Sequence, residues 1–287
     1  MTAITANTFQ SGFLPTWCPG CGDFGIWMSL KDALARLGIG TDDGVVVYGV
    51  GCHGNMYDWV KIYGVAALHG RTLPVAQGLK FANHKLPVIV ASGDGDGLGE
   101  GGNHFIHAAK RNPNITVLIH DNQVYGLTTG QASPTAKTGF KTKSTPEGVV
   151  DEPINPLTLA ITAGATFVAR GFAGDSPGLT EIMIKAIKHK GFAVVDILQP
   201  CVTFDKVHTY GWYRQRLYKL DAEKYTPDNK VKAIEKALEW EERIPIGIFY
   251  QEDKPTSEDR EPALADKTLI EQPPAIADLD GLLGEFF

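Results

Sequence analysis

Short, uninterrupted apolar runs alternate along this chain with stretches of helical spacing. GVVVYGVG (44–51), LPVIVASGDGD (86–96), ITVLIHDN (115–122), ATFVAR (165–170) and FAVVDILQP (192–200) are rich in β-branched residues and end at, or one residue before, Gly, Asp, Asn or Pro. Such runs predict strands buried on both faces. Between them, FGIWMSLKDALARLG (24–38, closed by Gly38), NHFIHAAKRN (103–112) and LTEIMIKAIKHK (179–190) predict amphipathic helices. Residues 56–83 are also expected to be mainly helical, broken around HGRTLP, and a long loop is expected from Tyr125 to Pro153. Buried strands alternating with helices give an α/β fold, a parallel sheet with helices on both faces.

The texture changes beyond Cys201. WYRQRLYKL and NKVKAIEKALEWEER predict surface helices, and QEDKPTSEDREPALADKTLIEQPPAI is rich in Pro and charge with little periodicity. This last segment is expected either to lie extended on the core or a partner, or to be disordered. The organisation that follows is residues 1–202 as the α/β unit and residues 203–287 as a helical extension with an extended tail.

The formal net charge of −6 offers no general attraction to nucleic acid or an anionic membrane. No apolar run approaches the roughly 18 residues of a membrane span, and MTAITANTFQ lacks a basic region followed by an apolar core. A cytoplasmic location is the expectation. Only four cysteines occur, Cys18, Cys21, Cys52 and Cys201. In a reducing compartment they point to metal binding or catalysis rather than a disulfide framework.

GDGDGLGEGGNHF holds the first candidate chemistry. Gly97, Gly99 and Gly102 match the G-x-G-x-x-G spacing of a dinucleotide loop, and Asp121 ends the next strand where a ribose-binding acid could stand. Electrostatics opposes that reading. Asp94 and Asp96 at about 5 Å from a bare diphosphate would repel it by several kcal/mol at an effective dielectric near 20. A magnesium ion removes the conflict, taking carboxylate, carbonyl and phosphate oxygens together. Asn122 follows at the end of the next strand, in HDNQVYGLT. The bland alternative is a glycine-rich turn with a capping Asp. GDG with this later Asn resembles the thiamine diphosphate motif. By that likeness Asp94, Asn122 and the Val124 carbonyl hold Mg²⁺, while Gly95, Asp96, Gly126 and Leu127 line the diphosphate.

The cysteine spacing leaves three readings open: a four-cysteine iron–sulfur cluster, zinc, or thiols that stay unligated or oxidise transiently. Structural zinc usually takes two close Cys-x-x-Cys pairs, whereas Cys52 and Cys201 are distant singletons at strand ends. A redox centre beside thiamine diphosphate has a chemical purpose.

WCPGCG, GCHGN, HGR, GDGDGLGEGGNH, DNQVYGLTTGQASPT and PC together resemble the β subunit of 2-oxoacid:ferredoxin oxidoreductases, as do WYRQRLYKLD and IPIGIFYQEDKPT near the C-terminus. The resemblance covers nearly the whole chain. It implies a thiamine diphosphate-binding (PP-type) domain plus a C-terminal extension. It also implies that Cys18, Cys21, Cys52 and Cys201 ligate one [4Fe–4S] cluster and that Val50, Gly51, Cys52 and His53 pass close to the cofactor. The implied reaction is coenzyme A-dependent oxidative decarboxylation of a 2-oxoacid, with 2-oxoglutarate preferred over pyruvate. Electrons would leave through the cluster to ferredoxin, and the reverse direction would fix carbon dioxide. A non-redox thiamine diphosphate decarboxylase would leave the cysteines unexplained, and a non-catalytic iron–sulfur subunit would leave Asp94 and Asn122 without a task.

One parallel α/β unit is used up by these sites. The pyrimidine-binding domain and its activating glutamate are therefore expected on an α subunit, in a heterodimer of heterodimers. His53 is the candidate for a direct catalytic role, with a loop histidine bonded to backbone as its alternative. His69 and Arg71 are expected either to meet a substrate carboxylate or phosphate, or to form a structural ion pair. Asn55 carries no charge, so a cationic substrate clamp is expected on the partner.

Overall fold

The computed structural model describes residues 4–272 and 279–286. Ten strands are present among them: β1 (Val45–Tyr48), β2 (Tyr63–Ala66), β3 (Val88–Gly93), β4 (Ile115–Asp121), β5 (Val124–Tyr125), β6 (Gln131–Ala132), β7 (Phe167–Phe172), β8 (Phe192–Leu198), β9 (Leu217–Lys219) and β10 (Ile244–Gln251). Eight of them form one sheet in the order β2-β1-β3-β4-β8-β7-β10-β9, and β5 and β6 form a separate small hairpin. Every pairing in the large sheet is parallel except β7 with β10.

Helices α1 (Asp23–Leu37), α2 (Thr72–Ala82), α3 (Gly102–Arg111), α4 (Pro156–Ala163), α5 (Ser176–Lys188), α6 (Tyr210–Arg214) and α7 (Lys230–Ala237) flank the sheet. Alternate residues of each strand serve opposite faces. Val46, Ile89, Leu118 and Val195 pack under Ile26, Leu30 and Met183 of α1 and α5. Val47, Val90, Val117 and Val194 pack under Leu73, Phe105, Ile161 and Ala233 of α2, α3, α4 and α7. Burial on both faces is why these strands are apolar throughout and show no alternation in sequence.

Three expectations are corrected. Residues 56–83 contain an edge strand, β2, with exposed and half-buried positions that carry no strong apolar signal. WYRQRLYKL is helical only at its start, since α6 ends at Arg214 and Leu217–Lys219 pairs with β10. The sheet is not wholly parallel, because IPIGIFYQ forms β10, whose Pro245 and Gly247 hide its strand character. The segment 252–272 lies on the core as a series of short turns and is not disordered. Glu258 accepts from the Asn114 N–H, the Asn112 amide donates to the Pro255 carbonyl, and Thr268 is fully buried. The expected tail also takes in residues 273–276, which lie outside the described residues. No helix among the described residues is long and apolar enough to cross a membrane.

Candidate active site

Strands β1, β3, β4 and β8 are consecutive neighbours and all parallel, so their carboxyl ends open on one edge. That edge carries Val50–His53 after β1, Asp94–Asp96 after β3, Asn122–Val124 after β4 and Cys201 after β8. Ligands of open α/β sheets collect at such an edge. A cleft there is lined by Val50, His53, Asp94, Asn122, Gly126 and Leu127, together with Gly51, Cys52, Gly95, Asp96 and Val124. The whole predicted cofactor set is therefore brought together. Between β3 and α3 the chain makes a π-helical turn over Gly95–Glu100, an irregularity common at functional sites.

Asp94 is 2% exposed, and three donors converge on its Oδ2: Ser133 Oγ at 2.5 Å, Thr135 Oγ1 at 2.7 Å and the Gln123 N–H at 3.0 Å. Burial pushes this carboxyl up, and the Ser133 and Thr135 hydroxyls draw it back down. Thr135 Oγ1 also lies 2.8 Å from Asp121 Oδ1. One hydroxyl proton cannot serve two carboxylates, so one of the two carboxyls holds the second proton. Burial, reinforced by the charges of Asp196 and Asp94, raises the Asp121 carboxyl well above the usual range and keeps it a neutral acid. The proton order is then Asp121 to Thr135 to Asp94, which leaves Asp94 as the anion. Gln123 holds a left-handed backbone (φ 61°), which turns the chain so that its N–H meets Asp94 while the Val124 N–H meets Asn122 Oδ1 at 3.0 Å.

Asp96 also lines the cleft, but its carboxylate is spent inside the protein. Oδ1 accepts from the Val50 and Gly70 N–H groups and pairs with His69 Nδ1 at 2.7 Å, and Oδ2 accepts from Ser92 Oγ. Burial would raise this carboxyl, yet His53 and these donors outweigh it and hold it low. The Asp96 oxygens thus have partners within the protein and do not point unpaired into the cleft. His69 also reaches Glu100, and Arg71 binds the backbone carbonyls of Gly70 and Glu100. His53 is 4% exposed and its Nε2 accepts from the Gly93 N–H at 3.0 Å, so the neutral ring carries its proton on Nδ1. Burial, then the nearby His120, lowers its pKa to about 4.

The cysteines converge on the same edge from three directions. The Cys18–Cys21 loop is tied to Cys52 by Trp17 Nε1 donating to the Cys52 carbonyl at 2.7 Å, and to the β8 exit by the Gly22 N–H donating to the Pro200 carbonyl at 3.1 Å. A Cβ added to Gly126 would stand 3.3 Å from Cys52 Sγ and 4.0 Å from Cys201 Sγ, so both sulfurs face this glycine. Burial raises the Cys21 thiol, and burial with the charges of Asp23, Cys201 and Cys18 pushes Cys52 up to about 12. Buried thiols raised in this way ionise readily only around a cation. All four are free, and among the described residues no three His, Cys, Asp or Glu side chains form a ready-made metal site.

Sequence reasoning missed Ser133, Thr135 and Gln199. The first two lie in a loop segment, QASPT, that carries no periodic signal, and Gln199 precedes the Pro-Cys pair as an apparently ordinary strand-end residue.

The family of thiamine pyrophosphate enzymes, through its C-terminal TPP binding domain, matches residues 49–197, and the C-terminal family of the pyruvate ferredoxin oxidoreductase beta subunit matches residues 201–266. The chain is 47% identical over 271 residues to the 2-oxoacid:ferredoxin oxidoreductase subunit beta of Saccharolobus solfataricus, covering 90% of this chain and 89% of that protein. It is 46% identical over 287 residues to the subunit beta of 2-oxoacid:ferredoxin oxidoreductase 1 of Aeropyrum pernix, covering 96% and 90%. Among solved structures, the 2-oxoglutarate:ferredoxin oxidoreductase from Magnetococcus marinus with 2-oxoglutarate, coenzyme A and succinyl-CoA bound superimposes with a TM-score of 0.91 at 35% identity, covering 99% of this chain and 97% of that one. With a thiamine pyrophosphate-binding domain match over half of it and relatives this similar over nearly its full length, the chain belongs to the thiamine diphosphate-binding β subunits of the 2-oxoacid:ferredoxin oxidoreductases.

Proposed function

We propose that this chain is the cofactor-bearing half of a 2-oxoglutarate:ferredoxin oxidoreductase, converting 2-oxoglutarate and coenzyme A to succinyl-CoA and carbon dioxide. The observation that carries the reading is the convergence on one sheet edge of a hydroxyl-braced Asp94, Asn122 and the facing Cys52 and Cys201 sulfurs, with the Cys18–Cys21 loop tied to both of their strand ends. The preference for 2-oxoglutarate follows the ligand-bound Magnetococcus marinus structure.

The residues fit the implied groups. Asp94, the Asn122 amide oxygen and the Val124 carbonyl are hard oxygen donors suited to Mg²⁺. Val50, Gly51, Cys52, His53, Gly95, Asp96, Gly126 and Leu127 line the cleft, and the three glycines among them leave room for a diphosphate to approach the backbone. Cys18, Cys21, Cys52 and Cys201 supply four thiolates for one [4Fe–4S] cluster. Bound here, thiamine diphosphate would supply the electron sink for decarboxylation and the cluster a one-electron exit towards ferredoxin. The chain's own part is to hold Asp94 ionised, to keep the Asp96 oxygens paired, and to keep His53 neutral with Nδ1–H free for a cofactor or substrate contact. Residues 1–202 form the cofactor-binding unit in this reading, and 203–287 the extension.

In this reading an α subunit supplies the pyrimidine-binding domain and its activating glutamate. Val50 and Leu127, which are 40% and 50% exposed, give the cleft apolar ground for such a partner. The test is anaerobic purification of the chain alone and with its α subunit, followed by assay of 2-oxoacid-dependent ferredoxin reduction. Activity should require both subunits, and 2-oxoglutarate should outrun pyruvate. An isolated chain as active as the complex would refute the split site.

A further inference from the structure

Gln199 spans the two halves of this site. It follows β8, is 2% exposed, and its N–H donates to the Asp121 carbonyl at 2.9 Å. Its side-chain amide lies between Asn122 and Cys21, with Oε1 3.2 Å from Asn122 Nδ2 and Nε2 3.4 Å from Cys21 Sγ. The orientation is forced. The Val124 N–H donates to Asn122 Oδ1, so Asn122 turns Nδ2 to Gln199. Gln199 must answer with Oε1, which leaves its N–H group for the sulfur.

The Cys-x-x-Cys loop is shaped around this contact. Gly22 has an ordinary helical backbone (φ −60°, ψ −25°) that any residue can adopt. A Cβ there would fall 2.6 Å from Gln199 Cγ and 3.1 Å from Pro200 Cδ. The second glycine of CPGCG is thus required by the close approach of Gln199, not by a turn.

We infer that Gln199 is a positioning residue that sets the reduction potential of the cluster and couples it to the metal–diphosphate site. The inference rests on the cluster and metal assignments proposed above. The Val124 N–H, the Asn122 amide and the Gln199 amide form one row of dipoles whose positive end meets Cys21. An N–H aimed at a cluster sulfur favours the more negative, reduced state and raises the potential. A cation on Asn122 Oδ1 polarises that amide, strengthens its N–H as a donor, and passes the effect through Gln199 to the sulfur.

The experiment uses the full chain, co-expressed with its α subunit and purified anaerobically. The cluster is titrated redox-potentiometrically and read by electron paramagnetic resonance, with and without magnesium and thiamine diphosphate. Gln199→Leu removes the donor. Gln199→Glu keeps the shape and the acceptor for Asn122 but turns an oxygen to the sulfur. Both variants should keep wild-type iron and sulfide. At the wild-type midpoint, losing the donor should lower the reduced-to-oxidised ratio about fivefold, which is about 40 mV at 59 mV per tenfold for a one-electron couple. The ratio should fall further in Gln199→Glu. The wild-type potential should rise when cofactor and magnesium are added, and that rise should vanish in both variants. Wild-type potentials and an unchanged cofactor response in both variants would overturn the inference. So would loss of iron from both, because Gln199 would then only be holding the cysteine loop. Failure of the underlying assignment reads differently: the wild-type complex itself would then lack iron and sulfide or bind its cofactor without magnesium, sinking both.

Discussion

Replacing Thr135 by valine tests how the metal-binding carboxylate is prepared. The change is nearly isosteric and the site is 7% exposed, so packing is kept while one hydroxyl is lost. Asp94 Oδ2 would fall from three donors to two, and the Asp121 acid would lose its acceptor. A hydrogen bond to an ionised acceptor contributes about 1.5–3 kcal/mol, which corresponds to roughly 10- to 150-fold in affinity. Loss of an outer partner at a metal ligand typically costs about 10- to 100-fold, so the two estimates agree. Thr135→Val should therefore weaken magnesium-dependent thiamine diphosphate binding by one to two orders of magnitude, about 10- to 100-fold. Because the Thr135 hydroxyl draws the Asp94 carboxyl down, its loss should also move the onset of binding to higher pH. Isothermal titration across a pH series reads both quantities. Asp121→Asn is the control: its amide can still donate to Thr135, so binding should stay within about threefold of wild type. If Thr135→Val binds like wild type, or Asp121→Asn is as weak as Thr135→Val, the proton order from Asp121 to Asp94 is wrong.

Three further outcomes are expected. Cys201→Ala should purify without an intact cluster, since one iron loses its protein ligand, and unchanged iron, sulfide and visible absorbance would remove Cys201 from the ligand set. Gly126→Ala, which places a methyl 3.3 Å from Cys52 Sγ, should impair cluster assembly by about 1–3 kcal/mol of overpacking, read as slower or incomplete reconstitution with iron and sulfide. Lys80, 2% exposed and donating to the Leu86 carbonyl, has its pKa lowered by burial to about 8. An unfolded lysine titrates near 10.4, so between pH 8 and about 10.4 the unfolded chain holds more protons and Lys80 makes stability rise with pH, by up to about 3 kcal/mol. Urea midpoints of wild type and Lys80→Met across that window should converge as pH increases. Parallel midpoints would refute the buried-charge account.

The parts of the fold legible in sequence are those where one physical demand dominates. Buried strands such as Ile115–Asp121 must be apolar on both faces, and α1 had to stop where Gly38 follows. The cleft was legible because Asp94, Asn122 and the cysteines combine chemistry with position at strand ends. What escaped depends on contacts between distant segments. Ser133 and Thr135 reach Asp94 only because the 125–153 loop folds back over β3 and β4, and no local pattern records that return. Gln199 matters because of what lies on either side of it, Asn122 and Cys21. β10 escaped because Pro and Gly inside a strand read as breakers, although its Gly247 uses a positive φ (130°) and a bulge follows between Ile248 and Tyr250.

That strand has a bearing on how the protein is made. β10 hydrogen-bonds to β7 on one side and carries β9 on the other. During synthesis the ribosome releases β7 and β8 well before β10, so Phe167–Phe172 stands for a time as an open, apolar edge. Such an edge is a template for pairing with another nascent chain. The antiparallel closure by Ile244–Gln251 ends that exposure, which makes the late-arriving strand a safeguard of solubility for the cofactor-bearing sheet assembled ahead of it.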